Sequence, residues 1–358
     1  MKILLTGGGT GGSVTPLLAV ANEIRLQYPE ADFLFIGTHK GPEEIFAQTA
    51  KIPFRSIHSG KYRRYFSLKN LRDPFLVLAG FFESLSILRA YRPDVVFGAG
   101  AYVSVPVVWA AWFLGIPSLI HQQDVNKSFA NQLCQRVASR ISVTFEWSLK
   151  DFPEKKTRWI GNPIRPELLQ GDRGRGIKLF GLDPAIPTVL VFGGGTGAQK
   201  INELMVGATL KLTEHCQIIH LYGKRKELIR INNERYHGYE FLGDEMKDAF
   251  AVADVVVCRA GLGSLTEVAT LGKSAVIIPM PATHQEANAM IFHRANAGVI
   301  VDQRTLDPNF LVNIVVGLLS NKTWRQTLEK NVRTLVRPDA RQTLTGELLS
   351  LVKKKHGS

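Results

Sequence analysis

Two stretches of this chain gather residue types that suit a phosphorylated, hydroxyl-rich ligand. In Arg259-Ala260-Gly261-Leu262-Gly263-Ser264-Leu265-Thr266-Glu267, small residues follow the end of an apolar strand and let the backbone turn tightly into a helix starting near Ser264. The free N–H groups of such a helix start favour a diphosphate. Glu267, one turn in, suits the two hydroxyls of a ribose, although the same carboxylate would also complement the helix dipole by about 0.3–1 kcal/mol with no ligand at all. Downstream, Pro279-Met280-Pro281-Ala282-Thr283-His284-Gln285-Glu286-Ala287-Asn288 follows another apolar strand. Gln285 and Asn288 are three residues apart and share a helical face. Their uncharged amides suit a neutral sugar, the other reading being polar loop residues turned to solvent.

Glycine supplies a second signal. Ile3-Leu4-Leu5-Thr6-Gly7-Gly8-Gly9-Thr10-Gly11-Gly12 is echoed about 185 residues later by Val189-Leu190-Val191-Phe192-Gly193-Gly194-Gly195-Thr196-Gly197-Ala198. Each is a short apolar strand, a glycine turn that lets backbone N–H groups approach phosphate, and then a helix (16–26 and 199–211). Gly7-x-Gly9-x-x-Gly12 even fits the dinucleotide fingerprint. That fingerprint also needs a carboxylate at the end of the second strand to hold a ribose. Here those ends read Gly37-Thr38-His39 and Tyr222-Gly223-Lys224, which argues against a nicotinamide-dependent oxidoreductase.

To position these residues the chain needs two doubly wound α/β domains in tandem. Strands are expected at 33–37, 95–97 and 118–120 in the first, and at 217–221, 255–258 and 275–279 in the second. The uncharged run 95–120 is long enough to span a membrane. Gly98, Gly100, Pro106, Gly115 and Pro117 break it at intervals that fit a buried strand–helix–strand unit instead. Domains are expected at 1–162 and 163–336, with a closing segment 337–358 whose helix, 344–352, is of the kind that packs back on the first domain.

Composition sets the outer bounds. With 358 residues, 45% hydrophobic and 21% charged, the chain has the make-up of a folded two-domain protein. Forty-four Lys and Arg against 31 Asp and Glu leave +13, an excess suited to nucleic acid, nucleotide phosphates or an acidic membrane surface, unless it is a generally basic surface. Cys134, Cys216 and Cys258 form no C-x-x-C pair, so neither a zinc site nor a disulfide framework is implied, in keeping with a reducing cytosol. The opening residues read as a core strand, too short for a signal peptide. Lys61, Arg63, Arg64, Lys69 and Arg72 interleave with Tyr62, Tyr65 and Phe66 and lead into Phe75-Leu76-Val77-Leu78 and Phe81-Phe82. Such a stretch suits an anionic leaflet, at about 1 kcal/mol per basic residue near the surface, or reads as a solvated loop before a core helix. No nucleic-acid module accompanies it, so nucleic acid is not expected as a partner.

Taken together, the glycine loop 7–12, Gly98-Ala99-Gly100-Ala101-Tyr102-Val103-Ser104, Gly161-Asn162-Pro163-Ile164-Arg165, the loop 193–198, Arg259–Glu267 and His284-Gln285 to Asn288 resemble the MurG-type transferases of glycosyltransferase family 28. The resemblance spans nearly the whole chain. It implies a GT-B fold, two tandem Rossmann-like domains with parallel sheets facing across a cleft. It also implies inverting transfer of N-acetylglucosamine (GlcNAc) from UDP-GlcNAc to the N-acetylmuramic acid (MurNAc) 4-hydroxyl of lipid I, undecaprenyl-diphosphoryl-MurNAc-pentapeptide, at the cytoplasmic face of the membrane. By the same resemblance backbone near Leu242 holds the uracil and Glu267 the ribose. Leu262, Gly263, Ser264, Leu265 and Thr266, with Arg165, hold the diphosphate. Gln285, with Asn288 beside it, meets the sugar. Thr10, Gly11 and Gly12 meet the acceptor's pyrophosphate. No cofactor or metal is expected, and no D-x-D occurs in the chain.

Several positions depart from the family pattern. Ser13 replaces the histidine after the first glycine loop. His121-Gln122-Gln123-Asp124 replaces His-Glu-x-Asn, and Gly195, with Thr196 beside it, replaces a serine. A base must reach the proton it takes, which makes Asp124 the candidate, with His121 as its partner. Catalysis by positioning alone, another lipid acceptor, and a non-catalytic nucleotide-binding scaffold fit the same residues.

Overall fold

A computed structural model describes residues 1–9, 12–60, 69–193, 198–223 and 231–353, the side chains of 69–72 and 353 excepted. The basic run 61–68 and the side chains of Lys69 and Arg72 lie outside the described residues, as do Thr10, Gly11, Gly195 and Thr196. The chain divides into two compact units, one made of Met1–Pro163 plus the segment from Arg337 onward, the other of Ile164–Val336.

Among the described residues of the first unit, seven strands form one sheet: β1 (Lys2–Thr6), β2 (Asp32–Gly37), β3 (Phe54–Ser56), β4 (Val95–Gly98), β5 (Ser118–Gln122), β6 (Arg140–Val143) and β7 (Thr157–Trp159). They lie in the order β3-β2-β1-β4-β5-β6-β7, and every pair is parallel. The second unit pairs β8 (Thr188–Phe192), β9 (Gln217–Leu221), β10 (Tyr236–Tyr239), β11 (Val255–Cys258), β12 (Ala275–Ile277) and β13 (Val299–Ile300) in the order β10-β9-β8-β11-β12-β13, again all parallel. In both sheets the order reverses beside the first strand. Ligands of such sheets bind beyond the carboxyl ends of the strands at that switch point.

Burial on both faces explains why the strands are continuous apolar runs. Ile3 and Leu5 pack with Leu17 and Ile24 of helix Thr15–Gln27 and with Leu344 and Leu348 of helix Ala340–Lys353. Leu4 points the other way, toward Leu85, Leu88, Val107 and Ala111 of helices Lys69–Tyr91 and Ser104–Phe113. The second unit repeats the arrangement, with Leu190 and Phe192 on one face and Val189 and Val191 on the other.

The run 95–120 is a strand, the helix Ser104–Phe113 and a strand, as its glycines and prolines indicate. Among the described residues, the apolar helix with the length and composition to cross a membrane is instead Asp73–Tyr91, and it packs in the first unit through Leu85 and Leu88. The three cysteines are buried free thiols, and burial pushes each up to about 12.

Candidate active site

The described site residues of the second unit follow the carboxyl ends of β10, β11 and β12, Arg165 apart. Helix Leu262–Leu271 begins two residues before the glycine spacing indicates. Its N-cap is Gly261 in extended conformation, and no side chain caps it. The first N–H groups therefore point past the end of β11 with no side-chain acceptor, which is the geometry an anion uses. Glu267 lies deeper than one turn and is largely buried. Arg165 donates to its Oε1 from Nε at 3.3 Å and from Nη2 at 3.2 Å. Burial raises the Glu267 carboxyl above its ordinary value, and the Arg165 charge partly offsets this. The resemblance implies separate parts of a nucleotide for these two residues; in the structure they form one charged pair beside helix Leu262–Leu271.

Arg259 went unassigned in the sequence reading. It closes β11, is almost wholly buried and donates from Nη1 to the carbonyls of Ile278 (3.1 Å) and Pro279 (3.4 Å). Its Nε has no hydrogen-bond partner and it joins no ion pair among the described residues. Burial lowers its pKa, because a cation in apolar surroundings is costly without an anion. The signal was legible: an arginine directly after Val255-Val256-Val257-Cys258 is a charge at the edge of a core strand.

Gln285 and Asn288 part company. Gln285 is half-buried, and its Oε1 accepts from the Met280 N–H at 3.0 Å, so it sits at the end of β12. Asn288 is fully buried, and its Nδ2 donates to the Ala260 carbonyl at 3.1 Å. It ties helix His284–Arg294 to the turn before Leu262. Asn288 is thus a brace behind the turn, beside the Gln285 expected to meet the sugar. The Leu242 side chain is in the core, three residues beyond the end of β10.

In the first unit, His121 is fully buried. Its Nε2 lies 3.0 Å from Asn162 Oδ1 and its Nδ1 lies 2.9 Å from the Ser142 hydroxyl. An amide oxygen can only accept, so Nε2 carries the proton and Nδ1 accepts from Ser142. Burial lowers the ring to about 4. Both ring nitrogens are thus engaged within the protein, and neither bond joins His121 to the Asp124 carboxylate. It holds β5 to β6 and to Asn162.

Asp124 is half-buried on the loop after β5, and Gln122 shapes that loop. The buried Gln122 amide donates to the carbonyls of Asp124 (2.8 Å) and Asn126 (2.9 Å). Its oxygen accepts from the Ser128 N–H (3.2 Å) and from Asn131 Nδ2 (2.8 Å). A carboxylate could make neither donation, so the departure at 122 has a structural reason. Gln123 Nε2 donates to the Gly12 carbonyl at 2.8 Å and joins this loop to the first glycine loop. Ser13, where the family has histidine, donates from its hydroxyl to the Gly8 carbonyl at 3.0 Å and shapes the loop from within. Among the described residues no group of three or more His, Cys, Asp or Glu could hold a metal ion.

Comparison with known proteins bears on both units. Residues 3–143 match the glycosyltransferase family 28 N-terminal domain and residues 188–344 the family 28 C-terminal domain. The UDP-N-acetylglucosamine–N-acetylmuramyl-(pentapeptide) pyrophosphoryl-undecaprenol N-acetylglucosamine transferase 2 of Bacillus cereus is 38% identical over 336 residues, covering 92% of this chain and 95% of the relative. The corresponding transferase of Legionella pneumophila is 37% identical over 90% of each chain. Among solved structures, MurG of Acinetobacter baumannii superposes with a TM-score of 0.72 at 26% identity, over 98% of this chain and 99% of that one.

Proposed function

The chain belongs to glycosyltransferase family 28, and from that membership we propose that it moves GlcNAc from UDP to the MurNAc 4-hydroxyl of lipid I, making lipid II for peptidoglycan. The observation that carries the reading is the buried donor corner, where an uncapped helix start, the Arg165–Glu267 pair and the unpaired Arg259 converge at the end of β11. Two cations and a set of oriented N–H groups suit the diphosphate, and Glu267 suits the ribose. Gln285 and the backbone at Leu242 complete a UDP-sugar.

Chemistry follows from that assignment. The acceptor oxygen attacks the anomeric carbon as the bond to the diphosphate oxygen breaks, which inverts α to β. Negative charge grows on UDP, where the helix start, Arg165 and Arg259 stabilise it without reorganising. The proton lost by the acceptor hydroxyl passes to Asp124, the half-buried carboxylate on the loop that Gln123 ties to the first glycine loop. Lipid I is expected in the first unit, at the carboxyl ends of β1, β4 and β5.

An anionic membrane surface is the expected partner of helices Lys69–Tyr91 and Ser104–Phe113, in keeping with an acceptor carried at the cytoplasmic face. Phe75, Leu78 and Phe82 follow helical spacing and, with Trp112 and Phe113, are each more than half exposed. Phe81 bridges them, its ring 5.6 Å from Phe82 and 6.2 Å from Phe113. Exposed apolar surface of this kind, preceded in sequence by five basic residues, suits a shallow seat among lipid headgroups.

The deciding experiment is transfer of labelled GlcNAc from UDP-GlcNAc to a soluble short-chain lipid I analogue, with EDTA present. A disaccharide-lipid product supports donor, acceptor and metal independence together. Tight UDP-GlcNAc binding without product would point to another lipid acceptor or to a nucleotide-binding scaffold.

A further inference from the structure

A carboxylate lies beneath the first glycine loop, in the interior of the first unit. Glu43 is fully buried at the start of helix Glu43–Thr49. Its Oε2 accepts from the Gly9 N–H at 3.1 Å, and its Oε1 accepts from the Thr38 N–H at 2.7 Å and from the Thr38 hydroxyl. Three glycines make room for it. A Cβ at Gly8, Gly37 or Gly41 would overlap the Glu43 side chain. Gly9 itself has φ +81°, a conformation that other residues rarely adopt. The described start of the loop, Gly7 to Gly9, is thus moulded around one acidic side chain, with the Gly9 N–H turned inward.

We propose that Glu43 is a positioning residue for the acceptor, fixing the first glycine loop in the conformation that receives lipid I. Rigid fixing matters because the N–H groups of such a loop must already be aimed when the anion arrives. Three independent ties converge on the loop: Glu43 at Gly9, Ser13 at Gly8 and Gln123 at Gly12. The tie from Gln123 leads to the loop that carries Asp124, so the conformation set by Glu43 extends toward the base. Glu43 belongs to the first unit, so its influence is expected on the acceptor and not on donor binding. This inference rests on the reading that the first unit binds lipid I.

The test uses the full-length protein and the variants Glu43→Gln and Glu43→Ala, with Thr38→Val as control. The isosteric amide turns an N–H₂ group toward the Gly9 N–H, so two donors face each other. Thr38→Val removes one bond and leaves both backbone donations. For Glu43→Gln and Glu43→Ala the KM for the soluble lipid I analogue is expected to rise at least tenfold. The KM for UDP-GlcNAc should stay within twofold, and Thr38→Val should stay close to the parent in both. A general loss of folding would move donor and acceptor constants together. Hydrogen exchange of the segment 4–14, measured without substrate, should speed up in Glu43→Gln. Acceptor KM within twofold of the parent in both Glu43 variants overturns the proposal. If the parent itself makes no product, the reading of function fails separately. Unchanged exchange in Glu43→Gln would then still overturn the role of Glu43 in fixing the loop.

Discussion

At the scale of single residues, burial separates groups that can do chemistry from groups that hold them. Asp124 sits at the surface of a tied loop, whereas His121 is sealed beneath it. Asp124→Asn keeps shape and hydrogen bonding but cannot take a proton, so kcat is expected to fall about 10²–10⁴-fold with the KM for UDP-GlcNAc unchanged. Rates near those of the parent would assign the reaction to positioning alone. The buried histidine yields a stability prediction. Its ordinary value is 6.5 and burial lowers it to about 4, so between those pH values the unfolded chain binds a proton that the folded chain does not. Stability from this group is therefore complete above pH 6.5 and declines as pH falls toward 4, by about 2 kcal/mol at pH 5. His220, bonded to Tyr236 and Asn202 in the second unit, is lowered to about 4 for the same reason. Urea unfolding at pH 7.5 and pH 5 should show the loss, and His121→Gln should flatten the slope for the first unit. An equal slope in the variant would mean that His121 titrates normally.

Elements differ in how far their placement can be read from sequence. The strand–glycine–helix openings, β9 and the strand–helix–strand unit at 95–120 are legible because their patterns are local and buried on both faces. Short edge strands such as β3, β7 and β13 have two or three residues each, too few for a period to show. The donor corner was largely legible because Arg259–Glu267 is one continuous segment. The acceptor side was not, because its geometry depends on ties between distant residues: Gln123 to Gly12 across 111 positions, and Gly9 to Glu43 across 34. The burial of Asn288 was not legible, because helical spacing with Gln285 says which residues share a face, not which of them turns inward. The exposed face of helix Lys69–Tyr91 supplies a prediction at this scale. Phe75→Glu with Phe82→Glu puts two charges on side chains that are each more than half exposed, so folding should be little affected. Binding to vesicles rich in anionic lipid should fall more than tenfold in a sedimentation assay, since each lost aromatic removes about 1.5–3 kcal/mol of burial and each glutamate meets a like-charged surface. Activity on a water-soluble acceptor should not change. Undiminished vesicle binding would assign the membrane contact to another surface.

For the molecule as a whole, the path of the chain matters as much as either sheet. It leaves the first unit after Pro163 and returns at Arg337, so the first unit is assembled from segments separated by the entire second unit. The returning segment is well fixed. Arg337 lies over the Trp159 ring at 5.0 Å and donates to the Trp159 carbonyl at 3.2 Å, and Gly161, at φ +92°, leaves room for Arg337 and Ala340. Arg341 pairs with Glu23 at 3.2 Å, and Leu344, Leu348, Leu351 and Val352 are buried in the core around β1. Four such side chains at about 1.5–3 kcal/mol each amount to a large part of a domain's stability of about 5–15 kcal/mol. A chain ending at Val336 should therefore lose the first unit and keep the second, whose two cores draw only on residues 168–336. Calorimetry should show one surviving transition where the full chain shows two. The shortened protein should bind UDP-GlcNAc within about threefold of the parent yet transfer nothing. Loss of nucleotide binding along with the first unit would mean that the donor corner depends on the first unit for its shape, and that the two units fold as one. Retained binding would show that donor recognition is complete within 164–336, which would leave the C-terminal segment acting on the reaction only through the acceptor.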